Sequence, residues 1–254
     1  MKKTLTAVAS LLMTCAAFGV SAEEVHVAVA ANFTAPAKDL QPAYEKATGD
    51  KLILSFGATG AFYAQIKNGA PFDVLLAADA KTPAKAVKEG YGVAGSTYTY
   101  AIGKLVLWSS DANLVKDDVA AVIKSDAVKH LAVANPKLAP YGEAAYQTLG
   151  ALGLEKDAES KIVIGDNIGK TLQFVSSGNA EAGFIALSQC FKGGKFTSGS
   201  GYVIPQELYG QINQDAVLLK AGEKNEGAKR FLKFLKESQE ASDIRAAYGY
   251  GTAK

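Results

Sequence analysis

The chain predicts an α/β protein of two domains, each a mostly parallel sheet with helices on both faces. Three observations carry this reading. Short β-forming runs alternate with amphipathic helical segments, glycine or proline punctuates most changes of period, and the alternation starts afresh near Gly103. A chain of 254 residues can bury one large core or two modest ones.

Residues 25–30 read as a strand, and 34–47 as a helix with Pro36 in its first turn and Gly49 just past its end. A second strand follows at 51–56, a short helix at 60–68 closed by Gly69, and a buried strand at 74–77. Residues 82–89 predict a helix capped by Thr82, with Pro83 at its first position and Gly90 beyond its end. From Gly103 the pattern repeats, with strands at 104–109, 130–134, 161–164 and 183–187 and helices at 117–124, 142–151 and 169–176. Residues 192–201, rich in Gly and Ser, predict a flexible surface loop. A strand at 214–219 precedes an amphipathic helix at 225–237, with Ala228, Phe231, Leu232 and Leu235 on one face. Two such units side by side would bind a ligand between them, at the carboxyl ends of their strands.

The start of the chain sets an expected compartment. Met1-Lys2-Lys3, an apolar run over 5–20 and the small residues Val20-Ser21-Ala22 predict a secretory signal peptide spanning 1–22, too short and wrongly flanked for a membrane span. Lipid attachment at Cys15 is the rival; Thr14 before it and its place inside the apolar run disfavour it. Without Lys2 and Lys3, basic and acidic residues balance at 25 each, which argues against a nucleic-acid partner. Cys190 would then be the sole cysteine, leaving no internal disulfide.

Four strand-to-helix junctions are rich in neutral donors: Ala30-Ala31-Asn32-Phe33-Thr34, Gly57-Ala58-Thr59-Gly60, Asn135-Pro136 leading to Pro140-Tyr141-Gly142, and Gly165-Asp166-Asn167-Ile168-Gly169. Each puts free backbone N–H groups and a helix's positive end at a sheet's carboxyl edge. Asn32, Thr59 and Asn167 are each also good helix-cap or turn residues, and Tyr141 suits a packed turn; the recurrence of two junctions per unit favours a shared dianion site. Asp166 would repel an anion and is expected to face outward as a cap. Enzyme chemistry finds little support. His26 and His130 sit in or beside strand patterns, Cys190 has no histidine near it, no G-x-S-x-G elbow or Cys/His metal spacing occurs, and Gly57-Ala58-Thr59-Gly60 lacks the Lys of a phosphate-binding loop. Asp73 and Asp79 flank a strand as turn and cap residues rather than as an acid/base pair.

Three stretches, Val27-Ala28-Val29-Ala30-Ala31-Asn32-Phe33, Ser55-Phe56-Gly57-Ala58-Thr59-Gly60 and Gln65-Ile66-Lys67-Asn68-Gly69-Ala70-Pro71-Phe72-Asp73-Val74, resemble the periplasmic molybdate-binding proteins of ABC importers. Asn135-Pro136 through Tyr141-Gly142, Gly183-Phe184-Ile185-Ala186-Leu187-Ser188 and the tail from Phe231 to Tyr250 agree, so the likeness covers the mature chain. It implies a two-lobed clamshell, with 23–102 and 206–254 in one lobe and 103–205 in the other. It also implies capture of molybdate or tungstate through Ala31 (backbone only), Asn32, Thr59, Tyr141 and Ile168 (backbone N–H), with Ala186 where some relatives have a tyrosine. Molybdenum would enter only as its oxyanion, with no protein–metal bond and no cofactor. Delivery to an inner-membrane importer permease by a monomeric periplasmic protein completes the expectation. Another tetrahedral oxyanion such as sulfate, or a sensing clamshell, remain alternatives, and molybdate and tungstate are too alike in size and charge for sequence to separate.

Overall fold

A computed structural model describes residues 22–116 and 118–251. The expected signal peptide and a helix start at Asp117 therefore lie outside the described residues. In chain order the first half comprises β1 (Glu24–Ala30), a 3-10 turn (Ala31–Phe33), α1 (Thr34–Thr48), β2 (Lys51–Gly57), α2 (Thr59–Lys67), β3 (Val74–Leu76), α3 (Lys81–Lys88) and β4 (Tyr98–Gly103). The second unit runs β5 (Leu105–Ser109), α4 (Val119–Lys124), β6 (Leu131–Ala134), α5 (Pro140–Ala151), α6 (Glu155–Glu159), β7 (Ile162–Gly165), α7 (Ile168–Ser176) and β8 (Ala182–Ala186). β9 (Phe191–Lys192), β10 (Lys195–Phe196), β11 (Ser200–Val203), β12 (Ile212–Leu218), α8 (Glu226–Glu237) and α9 (Gln239–Ala247) complete it.

Two five-stranded sheets organise these elements, in the orders β2-β1-β3-β12-β4 and β11-β5-β8-β6-β7. In each, four strands share one direction and one runs against them, β12 between β3 and β4 in the first sheet and β5 between β8 and β11 in the second. The chain passes from the first sheet to the second at Lys104 and returns between β11 and β12. Helices cover both faces, so the strands are near-continuous apolar runs: Val25, Val27, Ala28 and Val29 are all fully buried. Each sheet carries an apolar cluster on either side, one pair around Leu40, Tyr44 and Phe231 and around Phe62 and Leu75, the other around Leu131, Leu149 and Phe184 and around Trp108 and Ile185.

Helix ends follow local chemistry. Gly49 ends α1 at φ 80°, a left-handed geometry that an L side chain resists. α3 starts at Lys81, and Thr82 is not its cap: Asp79 accepts from the Thr82 N–H at 2.6 Å and the Thr82 hydroxyl at 3.0 Å. The expected flexible loop at 192–201 is ordered. Gly193 and Gly194, at φ 61° and 88°, form the two-residue turn of the β9–β10 hairpin, the backbone a primed turn requires. β4, α6, β11 and α9 have no counterpart among the elements expected from the sequence.

Candidate functional site

Strand register assembles the site. β1 and β2 pair from Glu24↔Lys51 to Ala30↔Gly57, so both end at one level and the turn and helix they feed begin side by side. On the second sheet Ala134↔Gly165 aligns the ends of β6 and β7, which feed α5 and α7. All four junctions meet around one small cavity, lined by Ala30, Ala31, Asn32, Gly57, Ala58, Thr59, Ala78, Ala139, Pro140, Tyr141 and Ile168. The five residues singled out in the sequence thus lie together. The alanines and glycine matter because small side chains let main-chain N–H groups approach a ligand closely.

Neutral donors dominate the lining. The 3-10 turn, α2 and α5 all begin without a side-chain cap, so no side chain takes their first-turn amides; α5 opens on Pro140, which has no N–H, and Gly60 of α2 donates to the Leu138 carbonyl. Asn167 caps α7 by accepting from Lys170 N–H at 3.0 Å, which leaves the first-turn amide of Ile168. Asn167 is thus a cap outside the lining, and Asp166 is exposed.

Two hydroxyls are poised to donate. Thr59 Oγ accepts the Ala78 N–H at 2.9 Å, and the Tyr141 hydroxyl accepts from Gln214 Nε2 at 2.8 Å. Each oxygen has taken a donor on the protein side, and among the described residues neither hydroxyl donates to a protein acceptor. Burial, aided by the neighbouring Tyr250, Tyr100 and Tyr209, pushes the Tyr141 phenol well above its usual range, so it keeps its proton.

Asn32 departs from expectation. Its amide hydrogens go to Gln214 Oε1 and to the Tyr250 hydroxyl, both at 2.8 Å, while its Oδ1 is buried and has no partner. Its side chain organises the wall, and only its backbone is left to donate. The Ser188 hydroxyl donates to the Asn32 carbonyl at 2.8 Å, and the one Tyr250 hydroxyl hydrogen is shared between Ser188 Oγ at 2.9 Å and that carbonyl at 3.1 Å. Gln214 was not singled out in the sequence, and Ser188 and Tyr250 entered only within stretches that carry the family resemblance, with no role at the site. A glutamine inside the strand pattern Ile212–Leu218 was the one available signal.

The cleft is shut in this structure. Gly60 N–H, on α2, donates at 3.0 Å across it to the carbonyl of Leu138, just before α5. Lys81–Glu143 at 3.4 Å and Lys192–Asp39 at 2.7 Å also bridge elements of the two sheets. Ala186, in β8, is fully buried and outside the lining. Cys190 is buried too, and that burial pushes its thiol up to about 12, which disfavours the thiolate.

Comparison with known proteins places this geometry. The chain is 54% identical over 251 residues to the molybdate-binding protein ModA of Azotobacter vinelandii, covering 99% of this chain and 98% of that protein. It is 50% identical over 232 residues to ModA of Rhodobacter capsulatus, covering 91% and 90%. The solved periplasmic molybdate-binding protein of Azotobacter vinelandii superposes with a TM-score of 0.87 at 36% identity, over 91% of this chain and all of that one. Residues 25–251 match the model of the bacterial extracellular solute-binding proteins, and with two sheets closing over a site at their strands' carboxyl ends, the chain belongs to that family.

Proposed function

We propose that the protein captures molybdate or tungstate in the periplasm and passes it to an inner-membrane ABC importer. The observation that carries this is the lining itself: main-chain amides and two hydroxyls with free hydrogens, and no charged side chain among the described residues. A fully deprotonated tetrahedral anion accepts at every oxygen and suits such a set. The near-full-length molybdate-binding relatives support the choice of ion. In this reading Ala31, Asn32 and Ile168 contribute main-chain N–H groups and Thr59 and Tyr141 their hydroxyls. The lobes divide as 23–102 with 206–254 against 103–205, residues 1–22 are removed on export, and the protein acts as a monomer without catalysis or cofactor.

Calorimetric titration against molybdate, tungstate, sulfate and phosphate tests the reading. Molybdate and tungstate are expected to bind alike, sulfate well below because it is smaller, and phosphate undetectably, since its proton would meet a donor and leave a buried bond unmade. Affinity for molybdate should stay flat from about pH 6 to 8.5, where no lining group titrates. Failure of both molybdate and tungstate to bind, or tight phosphate binding, would overturn it.

A further inference from the structure

Gln214 lies on β12 of the first sheet, fully buried at the irregularity where its pairing with β4 shifts register. It does not itself line the cavity, but it bonds directly to two residues that do, Asn32 and Tyr141. Resting on the functional reading above, we propose that Gln214 is the positioning residue that sets the hydrogen-bond polarity of the cleft and so excludes protonated oxyanions.

The direction of each bond follows from its neighbours. Gln214 Oε1 takes a hydrogen from Asn32 Nδ2 at 2.8 Å and shares the single Tyr100 hydroxyl hydrogen with the Ala77 carbonyl, each 3.1 Å away. With Asn32 presenting its amide to Oε1, Nε2 faces Tyr141 and donates to it. The Tyr141 oxygen is then an acceptor on its protein side, and its single hydrogen is left to point at the ligand. Were the Gln214 amide reversed, Tyr141 would donate to it and offer the ligand only lone pairs. Asn32 would have to reverse as well, since two amide NH2 groups would otherwise face each other. Its amide would then replace Oδ1 at the position now unpartnered. Tyr141 and the Asn32 side chain are therefore alternative donors, and the Asn32–Gln214 pair selects Tyr141. Gly103 holds this in place: a Cβ there would fall on the Tyr141 hydroxyl and within 2.6 Å of Gln214 Nε2.

The test is a double-mutant cycle with Gln214→Glu, Tyr141→Phe and the double variant, titrated with molybdate and with inorganic phosphate. Glutamate is isosteric and accepts from Asn32 and Tyr100 as before, but its second oxygen draws the Tyr141 hydrogen away from the ligand. Each single change is expected to weaken molybdate binding by at least about tenfold, since each removes the same bond to a charged group. The double should lose about tenfold less than the product of the singles, because the added negative charge acts in both backgrounds and cancels from the cycle. Gln214→Glu should also shift the phosphate-to-molybdate affinity ratio toward phosphate, and the shift should vanish with Tyr141→Phe. Strictly multiplicative losses, or an unchanged ratio, would overturn the role of Gln214 while leaving molybdate binding by the parent intact; a parent that binds no molybdate would overturn both. Apo melting temperatures verify folding, and Gln214→Met, which removes the donor but gives the Tyr141 hydrogen no new acceptor, should weaken molybdate binding less than Gln214→Glu; an equal loss would overturn the role of Gln214.

Discussion

Thr59 does two jobs with one oxygen. Its Oγ satisfies the buried Ala78 N–H, and its hydrogen is left for the cavity. Thr59→Ala is therefore expected to weaken molybdate binding by about tenfold to a hundredfold and also to lower apo stability by about 1–3 kcal/mol, the cost of a buried amide left unpaired. Thr59→Ser should restore both, and calorimetry with thermal melts on the two variants measures the pair of effects. Loss of stability with unchanged affinity would reduce Thr59 to a structural residue. The positions around the cavity were legible in the sequence because donor-rich residues recur where strands hand over to helices. The partners were not. Asn32 advertised a side-chain donor, yet its amide is consumed by Gln214 and Tyr250, which lie 182 and 218 residues further along the chain. Nothing in local spacing announces bonds of that span.

Among the secondary elements, those with strong period or punctuation were legible: β1 through β3, and α8 with its buried Ala228, Phe231, Leu232 and Leu235. β4 was hidden because its partner β12 is remote and its polar Tyr98-Thr99-Tyr100 start shows no apolar run. The Gly-rich 192–201 stretch misled for the opposite reason, since paired glycines permit a tight hairpin as readily as disorder. One side chain ties several elements together. Asp50, just before β2, accepts from Arg230 of α8 at 2.7 and 2.9 Å, from Tyr44 of α1 at 2.5 Å and from the Glu23 N–H ahead of β1 at 3.0 Å. The Arg230 guanidinium first, and the Tyr44 hydroxyl and Glu23 amide after it, hold the carboxyl down to about 2 against its burial. A depressed folded-state value means the stabilisation is complete above the unfolded-state value near 3.9 and is lost as pH falls through that toward about 2. Asp50→Asn is expected to cost roughly 1–2 kcal/mol at neutral pH, discounted because Arg230 is partly open to solvent, and to flatten the fall in stability below pH 4. Urea melts between about pH 2.5 and 7 would read both; a steep acid limb surviving in the variant would assign it to other carboxylates.

At the scale of the molecule, capture depends on two sheets closing over a site that neither completes alone, with Thr59 and Asn32 from one side and Tyr141 and Ile168 from the other. The exposed Lys81–Glu143 and Lys192–Asp39 pairs that span the gap are worth little in water and are screened by salt, so closure rests on the buried contacts instead. The absence of charged side chains from the lining, among the described residues, also bears on how fast and under what conditions the ion is caught. Dipolar donors act at contact and cast little field into solution, so an approaching dianion is not drawn in by long-range attraction and mobile ions have little to shield. Raising sodium chloride from about 0.05 to 0.5 M is therefore expected to change the molybdate association rate, followed by stopped-flow fluorescence, by less than about threefold, where a site clamped by arginine would slow by an order of magnitude. A steep salt dependence would place a cation in the path of entry. Abundant chloride, lacking four oxygens to meet the converging hydrogens, finds nothing here to hold it, and scavenging should proceed undiminished as the osmolarity outside the cell rises and falls.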